Sequence, residues 1–220
     1  MDYQILSILP PPEVDRILGE LSRQQFSEGR HTALGAASHV KRNLQLAQSA
    51  SVASGLDQLV LAALRRNESF QAFALPKRIM PPMFSRYEPG MSYGSHIDSG
   101  IMSTATEPMR TDLASTIFLS EPDSYEGGEL ILDTSAGCEE IKLAPGEAVV
   151  YVAKFVHRVE PVRKGVRLAA VTWIQSAVRD ERIRAILYDL HLLRKHELRE
   201  EASLLLSKSY HNLLRLASEL

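Results

Sequence analysis

Several things are scarce in this chain of 220 residues, and each scarcity narrows what it can be. There is one cysteine, Cys138, so no internal disulfide can form; this fits a reducing compartment, and a cytoplasmic location is expected. There is no excess of charge of one sign. With 25 basic and 27 acidic residues the net charge is -2, which offers no electrostatic reason for nucleic acid or an anionic membrane as the main partner. Long hydrophobic runs are also missing. The first nine residues, Met1 to Leu9, lack a basic lead-in, and their apolar part is too short for an export signal or a membrane span. What remains is a chain long enough to bury a real core and short enough for one domain with helical additions.

The most informative stretch is Tyr93-Gly94-Ser95-His96-Ile97-Asp98. Read as an extended segment, it turns His96 and Asp98 to one face, because alternate residues of a strand share a side. Such a pair alone fits a solvated edge strand better than a metal site, so a third ligand is required. His157 supplies a candidate, just past the apolar, β-branched run Ala148-Val149-Val150-Tyr151-Val152-Ala153 that follows the Pro145-Gly146 turn. Two neutral imidazoles and one carboxylate form the facial triad of non-haem Fe(II) chemistry, which leaves coordination positions open. Arg167 then starts the apolar run that reaches Trp173 and Ile174. A guanidinium entering a buried strand needs an anion, either a protein carboxylate in a salt bridge or a carboxylate ligand held by its planar fork.

The order His96-x-Asp98, His157, Arg167 resembles the Fe(II)- and 2-oxoglutarate-dependent dioxygenases, and more closely the PKHD-type hydroxylases of the prolyl 4-hydroxylase-like branch. The likeness covers nearly the whole chain and includes Phe84 to Asp98, Tyr125 to Leu130, His157 to Val162, and Trp173 to Ser176 with Arg179-Asp180. It implies a mainly β fold with flanking helices (α+β): a double-stranded β-helix, or jelly roll, with N-terminal helices and a C-terminal helical tail. It also implies Fe(2+) held by His96, Asp98 and His157, and 2-oxoglutarate held by Arg167 with help from the Tyr87 phenol. Tyr93 and Trp173 are expected beside the substrate or behind the ligands. The implied reaction is hydroxylation of an unidentified small-molecule or peptidyl substrate by O2, with 2-oxoglutarate decarboxylated to succinate and L-ascorbate keeping the metal ferrous. A role linked to iron uptake or iron homeostasis accompanies that reading. Two other classes stay open on the sequence: a non-catalytic sensor of iron or 2-oxoglutarate, and a cupin-type metal barrel without 2-oxoglutarate.

The expected layout is residues 1–75 as an N-terminal strand and helices, 76–178 as the catalytic jelly roll and 179–220 as a helical extension. Pro10-Pro11-Pro12 ends the first strand and suits a helix start, with Val14, Ile17, Leu18 and Leu21 on one face. Leu56 to Leu64 marks a second helix ending in Arg65-Arg66-Asn67. Phe26 to Asn43 is polar and broken; its His31 and His39 read as surface residues, with a place at the substrate entrance left open. Phe73 to Pro82 is expected as an edge strand, and 99–112 as an irregular loop fit to act as a lid. Gly127-Gly128 and Gly146 are expected in tight turns, the latter in a hairpin. After Gln175 the spacing turns helical: Ile183, Ile186, Leu187, Leu190 and Leu193 on one face, then a second helix from Leu198 to Leu216. This leucine-rich tail is expected to pack on the barrel or on another subunit as a homodimer. His191, His196 and His211 within it read as surface or packing residues.

Overall fold

The structure is a computed structural model that describes residues 1–32, 35–103 and 107–219. In chain order it runs β1 (Tyr3–Ser7), α1 (Pro11–Leu21), β2 (Phe26–Glu28), β3 (Lys41–Arg42), β4 (Leu44–Leu46), α2 (Gln48–Ser54), α3 (Leu56–Arg66) and α4 (Glu68–Ala74). The β-rich middle follows: β5 (Pro76–Ile79), β6 (Met83–Tyr87), β7 (Ser92–His96), β8 (Ile101–Ser103), β9 (Pro108–Arg110), β10 (Leu113–Phe118), β11 (Glu126–Gly127) and β12 (Leu130–Thr134). It closes with β13 (Gly137–Ile141), β14 (Glu147–Val152), β15 (His157–Val159), β16 (Val162–Lys164), β17 (Arg167–Ser176), α5 (Glu181–Leu193) and α6 (Glu200–Ala217).

Two antiparallel sheets face each other. The larger has the order β1-β14-β10-β17-β6-β4-β2, with β5 added beside β17; the smaller is β13-β12-β15-β7-β3. This is the mixed α+β jelly roll expected. Its interior is apolar from both sides, with Ala114, Phe118, Leu130, Leu132, Val149, Tyr151 and Trp173 packed together. The outer face of the large sheet is covered by α1, α3 and α4 through Val14, Ile17, Leu21, Val60, Leu64, Phe70 and Phe73. Burial of these side chains supplies the main driving force, about 1.5–3 kcal/mol for each large one. Sequence explains the joints: Pro11 and Pro12 open α1, the Asn67 side chain accepts the Phe70 amide to cap α4, and Asp180 accepts the Arg182 amide to cap α5.

Four local expectations are corrected. Helix α4 takes Phe73 and Ala74, so the edge strand begins only at Pro76; the Asn67 cap and the apolar face of Phe70 and Phe73 outweigh the extended bias of the prolines that follow. The 99–112 segment is not irregular at its ends, because Ile101–Ser103 and Pro108–Arg110 pair as a hairpin. Residues 104–106, the middle of the expected lid, lie outside the described residues. Gly146 does not turn a hairpin: β13 and β14 belong to different sheets, and Gly146 turns between them at φ +87°, its amide bonded to Phe118 and its carbonyl to Ile8 and Leu9. In the tail, α6 starts at Glu200, and of the expected face Ile183, Leu187 and Leu190 pack with Tyr210 of α6 while Ile186 and Leu193 are exposed; Tyr188 of α5 packs on the main core against Phe73. Strands from the N-terminal 75 residues, β1, β2 and β4, are members of the large sheet. No helix among the described residues is long and apolar enough to cross a membrane.

Candidate active site

His96 is the last residue of β7 and His157 the first of β15, and the two are direct cross-strand partners in the small sheet. Asp98 lies two residues beyond the end of β7 rather than within a strand, and the chain turns its carboxylate back toward the histidines. One ligand atom from each of His96, Asp98 and His157 falls within 4.8 Å of the others. The Asp98 Oδ2 is 3.8 Å from His157 Nε2 and has no hydrogen-bond donor, although it is buried.

Backbone carbonyls orient both imidazoles. His96 Nδ1 lies 2.8 Å from the Gly94 oxygen and His157 Nδ1 lies 3.0 Å from the Phe155 oxygen. A proton on Nδ1 satisfies each carbonyl and leaves the Nε2 lone pair free, the tautomer a metal ligand requires. Burial, with His157 close by, pushes the His96 imidazolium down to about 4, so the ring is neutral at physiological pH. Two imidazoles that turn Nε2 away from their carbonyl partners and a carboxylate oxygen without a hydrogen-bond donor fit an octahedral Fe(II) on one face.

Arg167, at the start of β17, is 1% exposed, and its Nε and Nη2 have no hydrogen-bond partner. The salt-bridge alternative left open by the sequence is not realised among the described residues: no carboxylate pairs with this guanidinium. It rests instead between aromatic rings, 5.2 Å from the centroids of both Tyr87 and Phe118. Gly128 makes room for its stem, since a Cβ there would lie 3.0 Å from Arg167 Cδ. Buried donors without acceptors cost about 1–3 kcal/mol each, so this pocket is built for an oxyanion that accepts from the fork.

His96, Asp98, His157, Arg167, Tyr87, Tyr93 and Trp173 all line one cavity of about 370 Å³. Tyr87 is the cross-strand partner of Arg167. Tyr93 stacks on His96 with centroids 3.6 Å apart and planes 15° apart. Trp173 is buried with an unpartnered Nε1. Sequence reasoning gave no site role to other wall residues, among them Lys41, Asn43 and Tyr151. The alternation Lys41-x-Asn43-x-Gln45 sets three polar residues at strand spacing, but over strands of two and three residues it is too short a signal to stand out. His31 and His39 are exposed and outside this cavity; His31 pairs with Glu28 at 3.7 Å.

The sequence matches the family profile described as the 2OG-Fe(II) oxygenase superfamily over residues 82–175, the segment that holds His96, Asp98, His157 and Arg167. With the jelly-roll core and the histidine-aspartate cluster, that match sets the class: an oxygenase of the kind that uses Fe(2+) and 2-oxoglutarate. A PKHD-type hydroxylase of Thermosynechococcus vestitus is 42% identical over 224 residues, covering 100% of both chains. A PKHD-type hydroxylase of Burkholderia ambifaria is 41% identical over 226 residues, again covering 100% of both. Among solved structures, a Pseudomonas putida prolyl-4-hydroxylase shares the fold at TM-score 0.53 and 19% identity, covering 80% of this chain and 92% of that one. The chain belongs to the PKHD-type hydroxylases.

Proposed function

We propose that this protein hydroxylates an organic substrate with Fe(II), O2 and 2-oxoglutarate, and that His96, Asp98 and His157 hold the metal while Arg167 grips the far carboxylate of the diacid. The observation that carries this reading is the Arg167 guanidinium, buried, unpaired and opening on the same cavity as the three ligands. A barrel that bound only metal would have no use for it. Bound at that site, ferrous iron supplies oxygen activation: O2 and 2-oxoglutarate become succinate and carbon dioxide, and one oxygen atom enters a C–H bond of the substrate.

The protein's share is positioning and exclusion of water. The Gly94 and Phe155 carbonyls hold the two rings in the ligating tautomer, and Tyr87 and Phe118 lie against the guanidinium, whose unpartnered N–H groups are left for the diacid. Low dielectric around this buried fork strengthens a two-point contact with a carboxylate. Ascorbate serves as the reductant that keeps the metal ferrous between turnovers, and the protein acts in a reducing compartment, consistent with its one free, exposed cysteine, Cys138.

The test is succinate formation by purified protein given Fe(II), ascorbate, 2-oxoglutarate and O2. Turnover, even uncoupled from substrate, that vanishes in His96→Ala and in Asp98→Ala supports the reading. A wild-type protein that binds iron yet neither binds nor consumes 2-oxoglutarate removes it.

A further inference from the structure

The cavity contains a second buried cation that the metal and the diacid leave unused. Lys41, on β3, is 5% exposed and lines the same cavity as the ligands. Its Nζ donates one hydrogen bond, to Thr32 Oγ1 at 2.7 Å, and among the described residues no carboxylate comes within ion-pair distance. It sits 5.2 Å from the centroid of the Tyr93 ring, and that ring stacks on His96, so the ammonium is held beside the metal position, away from bulk water.

Among the described residues that line the cavity, Asp98 is the one acid. A divalent ion, the Asp98 carboxylate, the doubly negative diacid and the Arg167 guanidinium cancel one another. Lys41 then leaves the loaded cavity with one uncompensated positive charge in a low-dielectric setting, where an unpaired ion is expensive. A second donor of the cavity wall, the buried Trp173 Nε1, is also without an acceptor. Part of the wall, Met80, Met83, Met102, Ile101 and Val171, is apolar, while Asn43, Gln45, Ser85 and Thr116 add neutral polar groups.

Resting on the reading above, we propose that Lys41 is the counter-ion of the primary substrate, and that the substrate class is an organic oxyanion, such as a carboxylate, attached to an apolar body. The anionic head pairs with Lys41, and the body lies along the methionine wall and the β8–β9 hairpin, where Ile101 is 66% exposed at the mouth. Neutral compounds of the same shape bind less well because they leave the ammonium unpaired.

Trp173 is the chain's one tryptophan and stands in the cavity wall, so its fluorescence reports occupancy without any turnover. Protein loaded with Mn(II) and saturating 2-oxoglutarate is titrated with straight-chain carboxylates from butanoate to octanoate, and with the matching primary amides. The acids are expected to bind about tenfold or more tighter than the amides, the size of one charge-assisted hydrogen bond. Lys41→Met should bring that ratio to near one, and Lys41→Arg should keep it. Amides that bind as tightly as acids, acids that do not bind at all, or a preference that survives Lys41→Met would each overturn the proposal. Binding of 2-oxoglutarate itself is followed first by the same signal. If it is absent, the oxygenase reading falls; the acid-to-amide comparison is then run in Arg167→Met without 2-oxoglutarate and still decides the role of Lys41.

Discussion

His96 and His157 are bonded neighbours across two strands, and their rings stand 4.2 Å apart at an interplanar angle of 55°. As ligands of the proposed metal, two imidazoles held this close by backbone pairing would reach one ion without any rearrangement of the fold. Because the ligands exist only in the folded chain, metal binding is linked to stability. Mn(II) at a hundred times its dissociation constant should raise the unfolding free energy by about 2.7 kcal/mol. Thermal melts with Mn(II), and then with a chelator, check this. The gain should be reversed by the chelator and largely lost in Asp98→Ala; a variant that keeps the full gain would place the ion elsewhere.

Arg167 leads to a prediction with opposite signs for stability and function. In the ligand-free protein its Nε and Nη2 are buried without acceptors, a cost of about 1–3 kcal/mol for each group. Arg167→Met removes the charge and the orphaned donors while keeping most of the packing. The metal-free variant is expected to be as stable as the wild type or more stable by about 1–3 kcal/mol in urea unfolding, while 2-oxoglutarate binding disappears. A clear loss of stability would mean that the guanidinium is a structural group.

These residues were legible because their chemistry is distinctive at short range: a histidine two residues from an aspartate, and a charge at the head of an apolar strand. The same reading passed over Lys41. Its strand, Lys41–Arg42, has two residues and its neighbour Leu44–Leu46 has three, too few for alternation to rise above noise. Their role comes from pairing with β7 and β6, which are distant in sequence. The 99–112 segment was misread for a related reason, since a three-residue hairpin strand leaves no periodic trace. In the tail, leucines at helical spacing did mark helices, but which of them are buried depends on the single contact around Tyr210, and spacing within one helix does not specify that.

Lys41 also gives a pH dependence. Burial lowers its ammonium to about 8, with the Asp98 charge offsetting part of the effect, whereas an unfolded lysine titrates near 10.4. Between those values the unfolded chain holds more protons than the folded one, so this group makes stability rise with pH across that window. Below it both states are charged, and the full penalty, on the order of 3 kcal/mol, is present. Metal-free Lys41→Met should therefore exceed the wild type in stability at pH 7, and the difference should shrink by pH 10. Urea titrations of both proteins at the two pH values provide the comparison, and a difference that does not change with pH would contradict the burial argument.

Two adjacent glycines should separate fold from function. Gly127 and Gly128 both have left-handed backbone, at φ +77° and +68°, so alanine at either is strained by about 1–3 kcal/mol. Their surroundings differ. A Cβ on Gly127 would lie 2.1 Å from the Pro161 carbonyl oxygen, which is backbone and cannot yield cheaply, while one on Gly128 would meet the side chains of Val162, Arg167 and Tyr125 at 2.9–3.2 Å. Gly127→Ala is therefore expected to cost more stability than Gly128→Ala. Gly128→Ala, by pushing on the Arg167 stem, should weaken 2-oxoglutarate binding several-fold, as displacement of a positioning group from a two-point contact does. Unfolding curves and 2-oxoglutarate titrations on both variants give the two readouts. Equal losses of affinity in the two would show that backbone strain alone disturbs the pocket, and that Gly128 does not shape the space the guanidinium occupies.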